Sequence, residues 1–196
     1  MEVPVNNQIT SSQFFTAGHA VFTVGNPKGE HYTFRIQRPK PQTEGPYADR
    51  VSPLFVSLLV GPDNTRDYAY MGIFDHSEHR PLRLTQKSKV TYDSRPVKVF
   101  GWAVNLVRNG KPVPEGYSIQ HEGRCGRCGR ALTVPESVQS GFGPECIEYV
   151  FPSAEKRAAL DAKAAREFKE MKEQDARLEP FLREVRSKRM RPFVYC

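Results

Sequence analysis

The residues with the clearest chemistry in this sequence are three cysteines and one histidine in the second half of the chain. Cys125 and Cys128 form a Cys-x-x-Cys pair, and Cys146 follows a glycine-rich turn, Gly141-Phe142-Gly143-Pro144. A Cys-x-x-Cys turn directs two thiolates at one ion, and a later half-site completes many small zinc modules. A closed zinc site takes four ligands, so His121 is the candidate for the fourth position. The pattern predicts one structural zinc ion.

The fourth ligand stays open at this point, because other side chains can approach the cysteines in the folded chain. His121 is preferred because it lies four residues before Cys125 and can reach across the segment Cys125–Cys128, called the knuckle below. Cys196, near the C terminus, is a poorer candidate. The alternatives that are distant in sequence are His19, His31, His76 and His79.

Two other interpretations of the cysteines, a redox pair and a catalytic zinc site, also stay open. A thioredoxin-like pair belongs at the start of a helix, and Gly126 and Gly129 stand where that helix would begin. A catalytic zinc keeps an open position beside a general acid or base. Glu122, Glu136 and Glu145 form no recognisable motif of that kind. We expect a structural role for the metal.

No other set of residues has the spacing of an enzyme active site. The sequence shows no Ser-His-Asp, paired-carboxylate, phosphate-loop or dinucleotide-binding pattern. The run His76-Ser77-Glu78-His79 is similar to a metal or nuclease site, but the adjacent Asp75 and Arg80-Pro81 favour a polar turn. We therefore expect a protein that acts by binding and is not an enzyme.

Arginines interleave with the metal-ligand candidates and suit contacts with phosphate. Arg124, Arg127 and Arg130 flank or lie within the knuckle, and guanidinium groups bind phosphate oxygens in a forked geometry. The net charge of +7 and the pI near 9.3 favour a polyanionic partner such as nucleic acid. Arginines at such positions can equally do no more than solvate a small module. A second basic stretch contains Arg183, Arg186, Lys188, Arg189 and Arg191.

The elements that must position these residues indicate an α+β fold. Apolar runs between Gly, Pro and Asn turns predict an antiparallel sheet of four or five strands, followed by an amphipathic helix with Val97, Phe100 and Val104 on one face. One such helix on a sheet completes a two-layer domain. A last strand around Ser118 and a short helix starting at Cys146 connect it to the cysteines. The predicted strands lie at residues 20–24, 31–38, 54–60, 68–74 and 82–84.

Composition divides the chain into four segments. Residues 1–12 are polar and aperiodic, which predicts a flexible tail, and residues 13–120 form the α+β domain. Residues 121–150 form an appended zinc module, and residues 151–196 a charged helical extension. Proline lacks an N–H donor and crowds the preceding turn, so we expect a kink or break at Pro180.

The expected location of the protein is the cytoplasm. No stretch approaches the roughly 20 apolar residues of a membrane span, which predicts no membrane partner. The first residues lack the basic start and apolar run of a secretory signal. Thiols stay reduced in the cytoplasm, and this favours metal ligation over disulfide bonds.

The run from Cys125 to Cys146 resembles a domain family of unknown function that is frequent in bacteriophages and other mobile elements. The resemblance rests on Cys-Gly-Arg-Cys-Gly-Arg-x-Leu-Thr-x-Pro-Glu-Ser-Val, followed by Gly-Phe-Gly-Pro-Glu-Cys. The part from Phe14 to Gln120 is similar to the longer members, and the helical extension is not. The resemblance implies zinc binding, a phage or plasmid origin and a bacterial host cell, and it supplies no reaction.

Two functions are compatible with these features. The first is a zinc-stabilised accessory protein of phage or mobile-element type that binds nucleic acid. The alternative is a protein-interaction module that inhibits or redirects a host protein complex, for example a defence system, through the striped helix after Ser153. The sequence makes no prediction about the oligomeric state or about the choice between DNA and RNA.

Overall fold

The structure, a computed structural model, describes residues 7–40, 52–77 and 80–189. It divides into two units, Met1–Val150 and Phe151–Cys196. The first unit contains the sheet and the three cysteines, and the second contains one long helix.

An antiparallel sheet forms the framework of the first unit. Its strands are β1 His19–Gly25, β2 His31–Gln37, β3 Phe55–Leu59, β4 Tyr68–Phe74, β5 Leu82–Arg83 and β6 Ser118–His121. The strand order is β5-β4-β3-β2-β1-β6. The first five strands follow one another along the chain, and β6 returns to pair with β1, with Phe22 opposite His121.

The described residues form five helices: α1 Gln13–Thr16, α2 Arg95–Arg108, α3 Pro135–Ser140, α4 Pro144–Val150 and, in the second unit, α5 Ala154–Arg189. Pro96 stands near the start of α2, where its missing N–H costs no hydrogen bond. Among the described residues, no helix combines the length and the apolar character that a membrane crossing requires.

The core lies between the sheet and α2, with Phe100 at its centre. The Phe100 ring is fully buried, and its centroid lies 5.3 Å from that of Phe34, 6.2 Å from Phe22 and 6.3 Å from Phe74. Burying one such ring stabilises the fold by about 1.5–3 kcal/mol. Side chains of β1 alternate between buried and half-buried, because one sheet face is turned to α2. The predicted α+β class is confirmed.

The described part of residues 1–12 is not the flexible tail that the sequence predicts. Gln8 bridges Gln120 in antiparallel fashion, and the Ile9 N–H donates to the Ile119 carbonyl at 2.9 Å. The Ile9 side chain is 4% exposed. The sequence does not predict this pairing, because a short polar stretch with one apolar residue shows no periodicity. The hydrogen-bond partners of this stretch lie on the edge of β6. The first six residues lie outside the described part.

The second unit contains α5, a continuous helix of 36 residues. Pro180 lies inside this helix, so the helix does not break there, and the alternative, a kink, stays a prediction. A proline in a helix interior removes one hydrogen bond at a cost of about 3 kcal/mol, and the turns on either side retain theirs. Residues 151–182 carry seven basic and seven acidic side chains, so the positive excess of this unit lies beyond them, in residues 183–191.

Candidate metal centre

Three cysteine side chains converge at one point of the first unit. The sulfur atoms of Cys125, Cys128 and Cys146 all lie within 4.8 Å of one another. Cys125 is fully buried and Cys146 is 7% exposed, whereas Cys128 lies at the surface. Sulfurs in a tetrahedral zinc site stand about 3.8 Å apart, given a Zn–S bond of about 2.3 Å. The structure therefore brings together the three cysteines that the spacing indicates.

The knuckle is a tight turn held by backbone hydrogen bonds. The Cys125 N–H donates to the Arg130 carbonyl at 2.8 Å, and the Gly129 N–H donates back to the Cys125 carbonyl at 2.9 Å. Gly129 has a φ of +74°, a left-handed conformation that a residue with a Cβ adopts only at a cost. Because these bonds are local, the segment itself positions Cys125 and Cys128.

Gly126 serves the packing of the knuckle and not its turn. A Cβ at Gly126 would lie 2.6 Å from the Phe14 ring, so glycine is needed for this close approach. Phe14 is 1% exposed, and its ring centroid lies 5.9 Å from that of Phe142. The His19 N–H donates to the Gly126 carbonyl at 2.7 Å, which ties the knuckle to the start of β1. Sequence reasoning missed α1, and with it the part that Phe14 plays.

Helices α3 and α4 bring the third cysteine to the knuckle. α3 ends at Gly141, whose φ of +75° forms a left-handed C-cap. The Gly126 N–H donates to the Gly141 carbonyl at 2.9 Å. Phe142 then enters the core, and α4 begins at Pro144, two residues before Cys146. The predicted short helix that carries this cysteine is present, whereas α3 was not predicted.

Hydrogen-bond donors surround the thiols. Burial opposes ionisation of Cys125, but backbone N–H groups, first that of Cys128 and then that of Gly143, lower its pKa below the usual thiol value. Burial raises the pKa of Cys146, although Arg127 Nη1 donates to its sulfur at 3.8 Å. Donors aimed at sulfur stabilise the thiolate, which is the form that binds a metal ion.

His121 ends β6, as expected, but its ring does not join the three sulfurs. The residue is 2% exposed, its Nε2–H donates to the Val138 carbonyl at 2.7 Å, and its Nδ1 accepts the Gly123 N–H at 3.1 Å. Both ring nitrogens are therefore engaged by the backbone in the neutral imidazole. Burial lowers the pKa of His121, against the opposing effect of the Val138 carbonyl. In this arrangement His121 connects β6 to α3.

The donor set at this point fits zinc, and the described residues supply three of the four ligands that a closed site takes. No histidine, aspartate, glutamate or further cysteine of the described residues joins the three sulfurs. A cavity of about 270 Å³ adjoins them, and Thr133, Ser137 and Glu145 contribute to its lining. His79 and Cys196, two of the alternatives, lie outside the described residues. Three convergent thiolates are a soft donor set of the kind that zinc takes.

The arginines around the knuckle have different environments. The Arg127 guanidinium lies 4.1 Å from the ring centre of Tyr149, and Arg124 Nη1 donates to the Gly129 carbonyl at 3.1 Å. Arg130 is exposed at the cavity beside the sulfurs, and its guanidinium has no ion pair or hydrogen bond within the described ranges. Among the three, Arg130 is therefore the arginine best placed for an external anion.

The state of His121 predicts how stability depends on pH. Its folded-state pKa is lowered from 6.5, so below pH 6.5 the unfolded chain takes up a proton that the native ring refuses. The free energy of unfolding of the zinc-loaded protein should therefore fall as pH drops below 6.5, by up to about 1.4 kcal/mol per pH unit from this group. Urea unfolding at a series of pH values measures this slope.

The variant His121→Gln provides the comparison, because glutamine is of similar size and does not titrate. We expect its pH slope to be shallower than that of the native protein, with its zinc content unchanged. Equal slopes would contradict a buried neutral imidazole. Loss of one ion per chain from this variant would instead restore His121 as the fourth ligand.

The knuckle with two cysteines and α4 with a third form a small cysteine module with the donor arrangement of a metal site. Residues 118–151 match the model of DUF6011, a family of unknown function. The match begins with β6 and ends just after α4, so it coincides with this module and not with the rest of the sheet. Neither the curated proteins nor the solved structures include one that matches this chain.

Proposed function

We propose that Cys125, Cys128 and Cys146 hold one structural zinc ion, and that the protein acts by binding nucleic acid and not by catalysis. The observation that carries the metal part is the convergence of three sulfurs within 4.8 Å on a turn bonded to β1. We further propose an accessory protein of phage or mobile-element type, on the resemblance of the run from Cys125 to Cys146 to a family that is frequent in such elements. One zinc ion per chain by elemental analysis is the result expected.

A structural role for the ion follows from what the cysteines connect. Cys125 and Cys128 belong to the knuckle, and Cys146 belongs to α4, eighteen residues after Cys128. A metal ion bound to all three cysteines would cross-link the knuckle to α4. Because the site does not exist in the unfolded chain, the free energy of metal binding would stabilise the folded state. The loop so held carries Arg130.

The nucleic-acid part of the proposal rests on local charge. Residues 118–150 carry three basic and four acidic side chains, so the module as a whole is not a basic patch. The basic groups lie at the knuckle, whereas three of the acidic groups lie on α3 and α4. The Arg130 guanidinium is exposed and has no partner among the described side chains. It is therefore available to donate hydrogen bonds to a phosphate oxygen.

Replacing Arg130 by alanine is expected to weaken binding of a labelled single-stranded oligonucleotide roughly fivefold, the loss of about one charge-assisted contact. The slope of log K against log salt should become shallower by about 0.7, because one phosphate contact fewer releases one counterion fewer. Fluorescence anisotropy titrations between about 50 and 200 mM salt measure both quantities. Zinc content and melting temperature should not change.

Arg66→Ala is the matched control, since Arg66 is 88% exposed and pairs only across the surface with Asp63 at 3.7 Å. Its affinity and salt slope should equal those of the native protein. An equal loss in both variants would indicate a diffuse charge effect and contradict a site at Arg130. The absence of any salt-sensitive binding would contradict the nucleic-acid function and leave the zinc site standing.

The apolar residues of α5 favour a second candidate function, the binding of a host protein. Leu160, Phe168, Met171 and Leu178 are each 50–54% exposed. Apolar side chains at this exposure on one helix suit a helix-in-groove contact. A pull-down from nuclease-treated host lysate, with the native chain and with Phe168→Glu, tests this candidate function. A partner that both chains retain equally would contradict binding through α5.

A further inference from the structure

A cavity of about 400 Å³ lies beside the first turns of α2 and shares no residue with the metal centre. Three aromatic residues from separate segments line it: Tyr32 of β2, Trp102 of α2 and Tyr117, which precedes β6. The ring centroids of Trp102 and Tyr117 lie 5.3 Å apart, and Tyr117 is 44% exposed. A cavity of this size with aromatic walls is typical of a site for a flat organic group.

The polar rim of this cavity is held in place by the turn between β1 and β2. Arg95 donates two hydrogen bonds to the Glu30 carboxylate, one of them 3.2 Å long. Asn26 Nδ2 donates to the same carboxylate at 2.7 Å, and Asn26 Oδ1 accepts the Glu30 N–H at 3.0 Å. The hydrogen bond from Asn26, then that from Arg95, lowers the pKa of Glu30 and keeps it ionised. Carboxylate and guanidinium are groups that pair with the edges of nucleobases.

Two cations stand at the same cavity in the first turn of α2. Arg95 and Lys98 line it, and this turn contains no acidic residue. The Arg95 guanidinium already pairs with the Glu30 carboxylate, so an anion at this turn would be stabilised by the Lys98 ammonium and by the positive end of the helix. Within the part of the chain that the structure describes, the Lys98 ammonium pairs with Asp93 at 3.8 Å, and the Asp93 side chain is 99% exposed. A pair this exposed is weak and exchanges easily for a phosphate.

A second cavity, of about 410 Å³, shares Trp102 and Lys98 with the first. Tyr92 and Arg80 line it, and the Arg80 guanidinium lies 5.5 Å from the Tyr92 ring centre. Aromatic and cationic groups are therefore repeated on the two sides of Trp102. The repetition suits a chain of alternating flat and anionic units better than one small molecule.

We propose that these two cavities form a binding site for single-stranded nucleic acid, with Trp102 between two successive bases and Lys98 at the phosphate that joins them. Tyr117, whose ring contacts that of Trp102, borders one base, and Tyr92 lies by the next. This assignment deepens the proposed nucleic-acid function, on which it rests, and it adds contacts on α2 to the one proposed at Arg130. Stacking on rings is tolerant of base identity, so the site discriminates strand form more than sequence.

Trp102 is the sole tryptophan of the chain, so its fluorescence reports directly on the site. An oligothymidylate of about twelve nucleotides, within the usual range of single-strand site sizes, is the probe. We expect saturable quenching of Trp102 with the same midpoint as the anisotropy of the labelled strand. A duplex of the same length should quench weakly, because its bases are already stacked.

Tyr117→Ala should weaken binding of this oligonucleotide roughly 5- to 100-fold, the range for removing one stacking ring. Lys98→Ala should make the salt slope shallower by about 0.7. Phe168→Ala, which removes an exposed ring on α5 outside both cavities, is the matched control and should bind normally. Circular dichroism melting verifies that each variant is folded.

Gly101→Ala tests the second cavity without loss of the fold. Gly101 lines that cavity, and a Cβ there would meet only Pro81 Cγ, at the ordinary distance of 4.0 Å. Alanine is the better helix former, so the melting temperature should stay the same or rise. The added methyl group narrows the cavity, and oligonucleotide binding should fall several-fold.

The outcomes separate this inference from the function on which it rests. Salt-sensitive binding that leaves Trp102 fluorescence unchanged and survives Tyr117→Ala would overturn the site and leave the nucleic-acid function intact. Thymidine monophosphate that binds as tightly as the oligonucleotide would overturn the assignment to a strand. No binding of either probe would overturn both proposals, whereas quenching that is lost in Tyr117→Ala supports both.

Discussion

Replacement of Cys125 by serine is expected to abolish zinc binding and to lower the melting temperature by about 10 °C or more, at about 2–4 °C per kcal/mol for a chain of this size. The Cys125 side chain is fully buried, and backbone N–H groups point at its sulfur. A hydroxyl replaces a strong metal ligand in that position, and the ligands left behind no longer form a closed site. Elemental analysis and calorimetry give the two readouts.

Cys196→Ser provides the comparison for this substitution, because the three cysteines that converge are Cys125, Cys128 and Cys146 and Cys196 lies outside the described residues. It should keep one zinc ion per chain and its melting temperature. A chelator should reproduce the effect of Cys125→Ser in the native protein. An unchanged zinc content in Cys125→Ser would refute the metal site, and loss of zinc in Cys196→Ser would identify the fourth ligand.

Replacement of Phe14 by alanine is expected to destabilise the protein by about 3–5 kcal/mol, as for other fully buried phenylalanines. The Phe14 ring is 1% exposed and lies between the knuckle and the core, with its centroid 5.5 Å from that of His121 and 5.9 Å from that of Phe142. Its loss leaves a cavity that the backbone at Gly126 cannot fill. Urea unfolding of the zinc-loaded protein measures the change.

Phe168→Ala provides the comparison for Phe14→Ala, because Phe168 is 54% exposed. It should change the free energy of unfolding by less than about 0.5 kcal/mol, the usual limit for a surface position. Gly126→Ala should resemble Phe14→Ala in direction, since its Cβ would lie 2.6 Å from the Phe14 ring. Similar stability of Phe14→Ala and Phe168→Ala would contradict the packing described here.

These two experiments bear on one physical question, whether the cysteine module and the sheet unfold together. The knuckle is bonded to β1 through the His19 N–H and the Gly126 carbonyl, and β6 carries both His121 and the pairing with β1. Through these bonds, stabilisation of the module by a bound metal ion would extend to the sheet. We expect a single cooperative transition for the first unit in the presence of zinc.

Most of the sheet could be predicted from the sequence. The predicted strand at residues 54–60 is β3 at Phe55–Leu59, and that at residues 68–74 is β4 with the same bounds. Periodicity predicts such elements because each strand side chain either faces the core or does not. The bridge at Gln8 and the one-turn helix α1 could not be predicted in this way, because neither is long enough to show a period.

The candidate site was predictable only as far as local spacing determines it. Cys125 and Cys128 are joined by one turn, and the glycines before Cys146 allow the chain to return. Spacing does not specify the direction of a ring, and His121 turns its nitrogens to Gly123 and Val138 instead. His121, the predicted fourth ligand, is thus bonded to the backbone, because its ring is buried against Phe14 and α3.

The α+β class and the group of three cysteines could be predicted from the sequence, because both depend on patterns within a few neighbouring residues. Which distant residues share a surface depends on how the strands and helices pack. Tyr32, Trp102 and Tyr117 come together because β6 pairs with β1 and α2 packs across the sheet. A local sequence pattern cannot predict these pairings, because they are stabilised by contacts between segments that are far apart in the chain.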